Sequence, residues 1–138
     1  MKNLDLLAAE AAQKIISETN EIAKKEVEKL VTKTLGVLQE NGVYACLLFA
    51  YSRSATKEGK APADENKVAK AVHKNLLDVM NKALDKALEK PANINANAAV
   101  ALAFLTTNIC ADLDTLLLVK QVWEQTLIYA RYGAKARS

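Results

Sequence analysis

Few side chains in this sequence could carry catalytic chemistry. His73 is the only histidine, and the two cysteines are Cys46 and Cys110. A Ser-His-Asp or Cys-His arrangement would need His73, which directly follows Val72 on a lysine-rich stretch with helical spacing. That position predicts an ordinary residue at the surface or boundary of a helix. The chain is therefore expected not to be an enzyme and to have no catalytic residues.

Metal sites and phosphate loops also lack the residues they need. A zinc site takes about four Cys or His ligands, or three with an open position. The three such residues in this chain share no ligand spacing, and its four glycines stand apart rather than in a Gly-rich loop. Acidic residues fall beside lysines on helix faces, as solvated charge pairs do. We expect no metal, no cofactor and no small-molecule substrate.

Clustered basic residues are the chemistry that remains. The net charge of +3, from 19 basic and 16 acidic residues, permits nucleic-acid contact without requiring it. One cluster is Arg53, Lys57 and Lys60. The other, at the end of the chain, is Arg131, Lys135 and Arg137. Such cations can complement a helix dipole or bind phosphate. Because aromatic residues make up only 5% of the chain, backbone contact is expected rather than base stacking.

The elements that must position these clusters are predicted to be helices. Half of the residues are hydrophobic, whereas the chain has only 4 glycines and 2 prolines. Apolar residues recur at spacings of three and four along most of the sequence. We predict one all-α domain over residues 1–138, a compact bundle of five to six antiparallel helices.

Particular residues predict the helix ends in the first half. Asn3 is an expected N-cap. The polar stretch 17–20 favours two N-terminal helices over one bent helix. Asn41-Gly42 predicts a helix stop, and the short helix that follows is apolar nearly all round, so it should lie centrally.

The second half is predicted to hold three more helices. A long amphipathic helix runs from a cap at Asp64 to about Glu89, with a solvated face made of Lys67, Lys70 and Lys74. A buried helix spans residues 98–110. Asp112 or Asp114 caps the last helix, which carries an apolar stripe at helical spacing.

Cellular location is predicted from the cysteines and the apolar runs. Both cysteines lie in apolar stretches and read as buried free thiols, which favours a reducing compartment. The longest apolar runs, 43–51 and 98–105, are about half the roughly 20 residues of a membrane span. The N-terminal residues include Asp5 and Glu10 and do not form a signal peptide. We expect a cytoplasmic protein without membrane contact.

Two stretches resemble the small subunit of the type III-B CRISPR (Cmr) effector complex. Residues 39–50 place the helix stop Asn41-Gly42 before an apolar helix that contains Phe49. Residues 129–134 read Tyr-Ala-Arg-Tyr-Gly-Ala, similar to an aromatic-x-Arg-x-x-Ala pattern in that family's last helix. The order of elements is similar too, from the paired alanines Ala11-Ala12 through a long middle helix to the terminal helix.

This resemblance implies a non-catalytic helical protein in an RNA-guided silencing complex. It would stack beside the subunits that hold the guide RNA, with other Cmr subunits and copies of itself as partners. It would also contact guide and target RNA, whereas cleavage would belong to other subunits. The expected RNA-backbone-binding residues are Arg53, Lys57, Arg131, Lys135 and Arg137.

An alternative function is a helical protein–protein adaptor or homodimerisation module without RNA binding. Its support is the near-heptad apolar run from Val68 to Leu88, which could pair with a partner helix.

Overall fold

A computed structural model describes residues 3–84 and 97–137. The helices within them are α1 (Leu4–Glu18), α2 (Lys24–Asn41), α3 (Val43–Ser54), α4 (Asp64–Ala83), α5 (Ala98–Leu105) and α6 (Leu113–Ala136), with a π-helical turn at Thr106–Cys110. The described residues contain no β-strand, and the helices pack as a compact bundle, so the predicted all-α fold class is confirmed. No helix in the described ranges is long and apolar enough to cross a membrane.

The chain separates α1 from α2 as the polar stretch predicted. The side chain of Asn3 caps α1 by accepting a hydrogen bond of 3.0 Å from the amide of Leu6. At the other end, the buried hydroxyl of Thr19 donates to the Ile15 carbonyl at 2.7 Å. Because Ile22 in the connecting turn is also buried, the turn is held against the core rather than left exposed.

A glycine turn joins α2 to α3. Gly42 has φ +96° and ψ −173°, a conformation open to glycine alone, so the helix stop falls where the sequence predicted. The prediction that α3 lies centrally, because it is apolar nearly all round, is wrong. Val43, Cys46 and Leu47 are buried, but Tyr44 and Leu48 are 44% and 47% exposed because only one face of the helix meets the bundle.

Helix α4 begins and ends differently from the prediction. Ala63 rather than Asp64 is its N-cap, and its amide donates to the side chain of Asn66 at 2.8 Å. The helix stops at Ala83, because Leu84 has an extended backbone, whereas the sequence predicted a helix to about Glu89. Residues 85–89 lie outside the described ranges.

The predicted helix 98–110 is two elements rather than one. An eight-residue α5 passes into the wider π turn. Asp112 is the N-cap of α6, and its carboxylate accepts a hydrogen bond from the Thr115 hydroxyl.

The core lies where α4 and α6 meet under α1. Trp123 is fully buried, and its indole Nε1 donates to the Leu76 carbonyl at 2.7 Å. Helices α1 and α6 run in the same direction, since Gly133 faces Ile16 and Arg137 reaches Thr19. A Cβ atom at residue 133 would lie 3.0 Å from Ile16, so glycine permits this close approach.

The near-heptad apolar run of α4 is buried inside the bundle. The buried members of this run are Val68, Val72, Leu76, Val79, Met80 and Ala83 in α4, and Leu84 directly after it. They pack in the same core as residues of α1, α3 and α6. This stripe therefore presents no apolar surface to a partner over the described part of α4.

Candidate nucleic-acid interface

The loop between α3 and α4 is tied down at both ends by one side chain. The side-chain nitrogen Nδ2 of Asn66 donates to the main-chain carbonyls of Arg53 and Ala55, at 2.8 and 3.0 Å. Its oxygen accepts from the amide of Ala63 at 2.8 Å. Asn66 stands at the third position of α4, where a side chain can reach back to the cap. It therefore fixes the end of α3 against the start of α4.

Within this loop, a tight turn presents two lysines. The amide of Lys60 donates to the carbonyl of Lys57 at 3.1 Å, which closes a four-residue turn. Gly59, at the third position of this turn, has φ +77°, a positive value that glycine adopts readily. Both lysines are exposed. Neither is paired with an acidic side chain in residues 3–84 or 97–137, so both ammonium groups face solvent.

Arg53 is placed by contacts on two sides. Its Nη1 lies 3.0 Å from Oε1 of Glu65, and its guanidinium carbon lies 5.0 Å from the centre of the Phe49 ring. Cation–π attraction of this kind stabilises the guanidinium group over the face of the ring. Both charged side chains of the pair keep about two fifths of their surface exposed, at 41% and 43%.

A polar cleft of about 530 Å³ opens at this end of the bundle. Arg53, Lys57 and Lys60 line it together with Glu65 and Asn66. The first of the two predicted clusters is therefore assembled in space as well as in sequence.

A second, smaller cleft adds basic residues that were not predicted from the sequence. Lys29 and Lys33 of α2 line a space of about 110 Å³ with Glu26, and Glu65 borders this cleft as well. The two lysines are four residues apart, which places them on one helix face. That spacing was visible in the sequence, but nothing in it indicated that this face lies beside the start of α4.

The same end of the bundle also carries negative charge. Glu26 and Glu65 line the clefts, and the exposed Glu58 and Asp64 lie in the loop and at the first position of α4. The surface is therefore basic but not uniformly so.

The terminal cluster is engaged in contacts within the protein. Arg137 donates from Nη1 to the Thr19 carbonyl at 3.2 Å and from Nη2 to the Asn20 carbonyl at 2.8 Å. Its own carbonyl accepts from Lys24 at 3.2 Å. These bonds fasten the end of α6 to the turn between α1 and α2.

The other two members of that cluster, Lys135 and Arg131, are also less available to a ligand. Lys135 lies 3.7 Å from Glu28, an exposed pair of small energetic value. Arg131 is partly buried, and its Nε is covered without a hydrogen-bond partner among the described residues. The terminal cluster thus offers fewer unpaired cationic groups than the cleft at the other cluster.

The predicted solvated face of α4 is present. Lys67, Lys70 and Lys74 are all exposed. Lys74 lies 3.3 Å from Glu18 of α1, so its charge is partly balanced by a neighbouring helix.

His73 lies elsewhere than predicted. It is 2% exposed and stacks on Tyr51, whereas its sequence position indicated a surface or boundary residue. Burial, and then the charge of Lys70, lower the pKa of His73 to about 4. A neighbouring α3 covers this side of α4, which helical spacing within α4 alone does not reveal.

The cysteines differ in their surroundings. Cys46 is fully buried as predicted, and burial raises its pKa to about 12. Cys110 was also predicted to be buried, but it is only partly buried. In the described residues, no group of three or more His, Cys, Asp or Glu side chains is placed to hold a metal ion.

Comparison with known proteins adds no relative. No family model, curated protein or solved structure matches this chain.

Proposed function

We propose that this chain is a non-catalytic small subunit of a type III-B CRISPR (Cmr) effector complex that contacts the backbone of guide or target RNA. It would act in the cytoplasm beside other subunits of the complex, including copies of itself. The resemblance of residues 39–50 and 129–134 to that family supports the proposal. These stretches form the α2–α3 turn and the last part of α6.

The observation that carries RNA contact is the convergence of basic side chains at one end of the bundle. They come from α2, the end of α3 and the loop before α4, and they are Lys29, Lys33, Arg53, Lys57 and Lys60. Arg and Lys that neutralise phosphates release bound counterions, so such a surface binds RNA without reading its sequence.

The mixed charge of this surface sets the expected strength of binding. With about three phosphate contacts on a duplex, the logarithm of the binding constant should fall with the logarithm of salt with a slope near −3. Affinity of the isolated subunit would be weak. Other subunits of the complex would have to supply most of the grip on RNA.

Three charge-reversal variants test which surface binds. The first is Lys57→Glu/Lys60→Glu in the cleft, the second is Arg131→Glu/Lys135→Glu in the terminal cluster, and the third is Lys70→Glu/Lys74→Glu on the solvated face of α4. All three change the net charge equally, so a general electrostatic effect would lower binding in all of them. Binding of a labelled RNA duplex is measured by anisotropy across a salt series, and folding is checked by circular dichroism.

We expect the cleft variant alone to lose most of its affinity and to show a flatter salt slope. Equal losses in all three variants, or unchanged binding in the cleft variant, would overturn the assignment of the cleft. Purification of the tagged chain from its native host tests the complex itself. Recovery of RNA with several other proteins supports the proposal, whereas a tight homodimer without nucleic acid favours the adaptor.

A further inference from the structure

Glu65 stands among the basic side chains of the candidate interface. It borders the larger cleft with Arg53, Lys57 and Lys60, and it borders the smaller cleft with Lys29 and Lys33. Its Oε1 is the acceptor for Nη1 of Arg53 at 3.0 Å. Among residues 3–84 and 97–137, it is the only acidic side chain that lines both of these clefts.

We propose that the Glu65 carboxylate occupies a phosphate subsite, and that a backbone phosphate of bound RNA replaces it against Arg53. This inference rests on the proposed function, because it assumes that the cleft binds RNA. The chemistry of the two anions supports the exchange. A carboxylate and a phosphate both present oxygens that accept hydrogen bonds from a guanidinium group.

The geometry makes this exchange inexpensive. The pair is about two fifths exposed on each side, and exposed ion pairs contribute little to stability. Once released, Glu65 remains in the first turn of α4, where the helix dipole stabilises a negative charge in solvent.

Arg53 would keep its place after the exchange. Its guanidinium group rests over the Phe49 ring, with 5.0 Å from the guanidinium carbon to the ring centre. Its main-chain carbonyl is held by Asn66 at 2.8 Å. The arginine is therefore positioned by contacts that do not involve Glu65, and the phosphate meets a side chain that is already oriented.

Glu65 consequently acts as an internal competitor for RNA. The Glu65→Gln variant removes the competing charge with little change of shape and should bind RNA about two- to fivefold more tightly, in keeping with the small value of an exposed pair. Glu40→Gln is the matched control. It makes the same change in net charge, but Glu40 lies about two helical turns beyond Lys33, at the C-terminal end of α2 and away from both clefts.

The experiment measures binding of a labelled RNA duplex to the full chain and its variants at one salt concentration. Tighter binding by Glu65→Gln than by Glu40→Gln supports the inference. A second comparison uses proteins in which Arg53 is also replaced. If Arg53→Gln/Glu65→Gln binds RNA no more tightly than Arg53→Gln, the gain depends on Arg53, which also supports the inference. Thermal unfolding of each variant confirms that the fold is intact.

Two failures can be told apart. If Lys57→Glu/Lys60→Glu lowers binding while Glu65→Gln and Glu40→Gln behave alike, the cleft binds RNA but Glu65 does not mark a phosphate subsite. If the lysine variant leaves binding unchanged, the cleft is not the interface and the proposed function loses its site. A gain in Glu65→Gln that persists without Arg53 would also overturn the inference.

Discussion

The imidazole ring of His73 lies stacked on the phenol ring of Tyr51, with 4.0 Å between ring centres and 19° between planes. The stack joins α4 to α3 inside the bundle, and His73 is 2% exposed. Its Nδ1 is buried and has no hydrogen-bond partner in the described ranges. A charged imidazolium would therefore be poorly solvated at this position, which is the main cause of its low pKa.

Stability should fall as the pH drops below about 6.5 because of His73. The folded protein holds the pKa of His73 near 4, whereas the unfolded chain has the ordinary value of 6.5, so the unfolded state binds more protons between these values. The free energy of unfolding should decrease by up to about 1.4 kcal/mol per pH unit in this window. Urea unfolding between about pH 4 and pH 7 measures the slope.

The His73→Phe variant supplies the control for this slope. It keeps an aromatic ring against Tyr51 but cannot take up a proton. Because the pKa of Tyr51 is raised to about 12, the tyrosine stays neutral throughout the window. The difference in stability between wild type and variant should change with pH below 6.5 and stay constant above it. A constant difference over the whole range would contradict the assignment.

Replacing Arg137 with alanine should destabilise the fold without weakening RNA binding. The change removes two hydrogen bonds to the carbonyls of Thr19 and Asn20, and an expected cost is about 1–2 kcal/mol. Lys135→Ala, which loses only an exposed pair at 3.7 Å, should cost under about 1 kcal/mol. Urea unfolding and RNA anisotropy measure both properties. A loss of RNA affinity in an Arg137→Ala protein that remains folded would contradict this prediction and would indicate that Arg137 contacts RNA.

Replacing Gly36 and Gly42 with alanine should change the free energy of unfolding in opposite directions. Gly42→Ala should destabilise by about 1–3 kcal/mol, because φ +96° with ψ −173° is strained for any residue with a Cβ atom. Gly36→Ala should stabilise by up to about 1 kcal/mol, since it lies within α2 and a Cβ atom there meets nothing within 4 Å. Thermal unfolding compares the two variants, and a change of the same sign in both would be unexpected.

Trp123→Phe should lower stability by about 2 kcal/mol through a smaller side chain and a lost hydrogen bond. The indole Nε1 donates to the Leu76 carbonyl at 2.7 Å in the centre of the core. Tyr132→Phe is the control, because Tyr132 is 64% exposed and should be indifferent to the change. Denaturant unfolding followed by circular dichroism measures both. Equal stability of Trp123→Phe and wild type would mean that this bond contributes nothing.

The sequence by itself determined the helical character of the chain and several helix ends. Helical spacing depends on neighbours three and four residues away, so it can be read without knowing the fold. The same holds for Asn3 as a cap and for Gly42 as a stop, because each acts on its own helix. Local rules were less reliable at Asp64, where Asn66 reaches back to make Ala63 the cap.

Only the tertiary structure decided which charged residues share a surface. Lys29 and Glu65 border one cleft although 36 positions separate them in the chain, and Arg137 meets Thr19 from the other end of the sequence. His73 became buried because α3 covers its side of α4. Periodicity predicts which side of a helix is apolar, but it does not predict which other helix will pack there. Those pairings follow from how all the apolar faces are satisfied together.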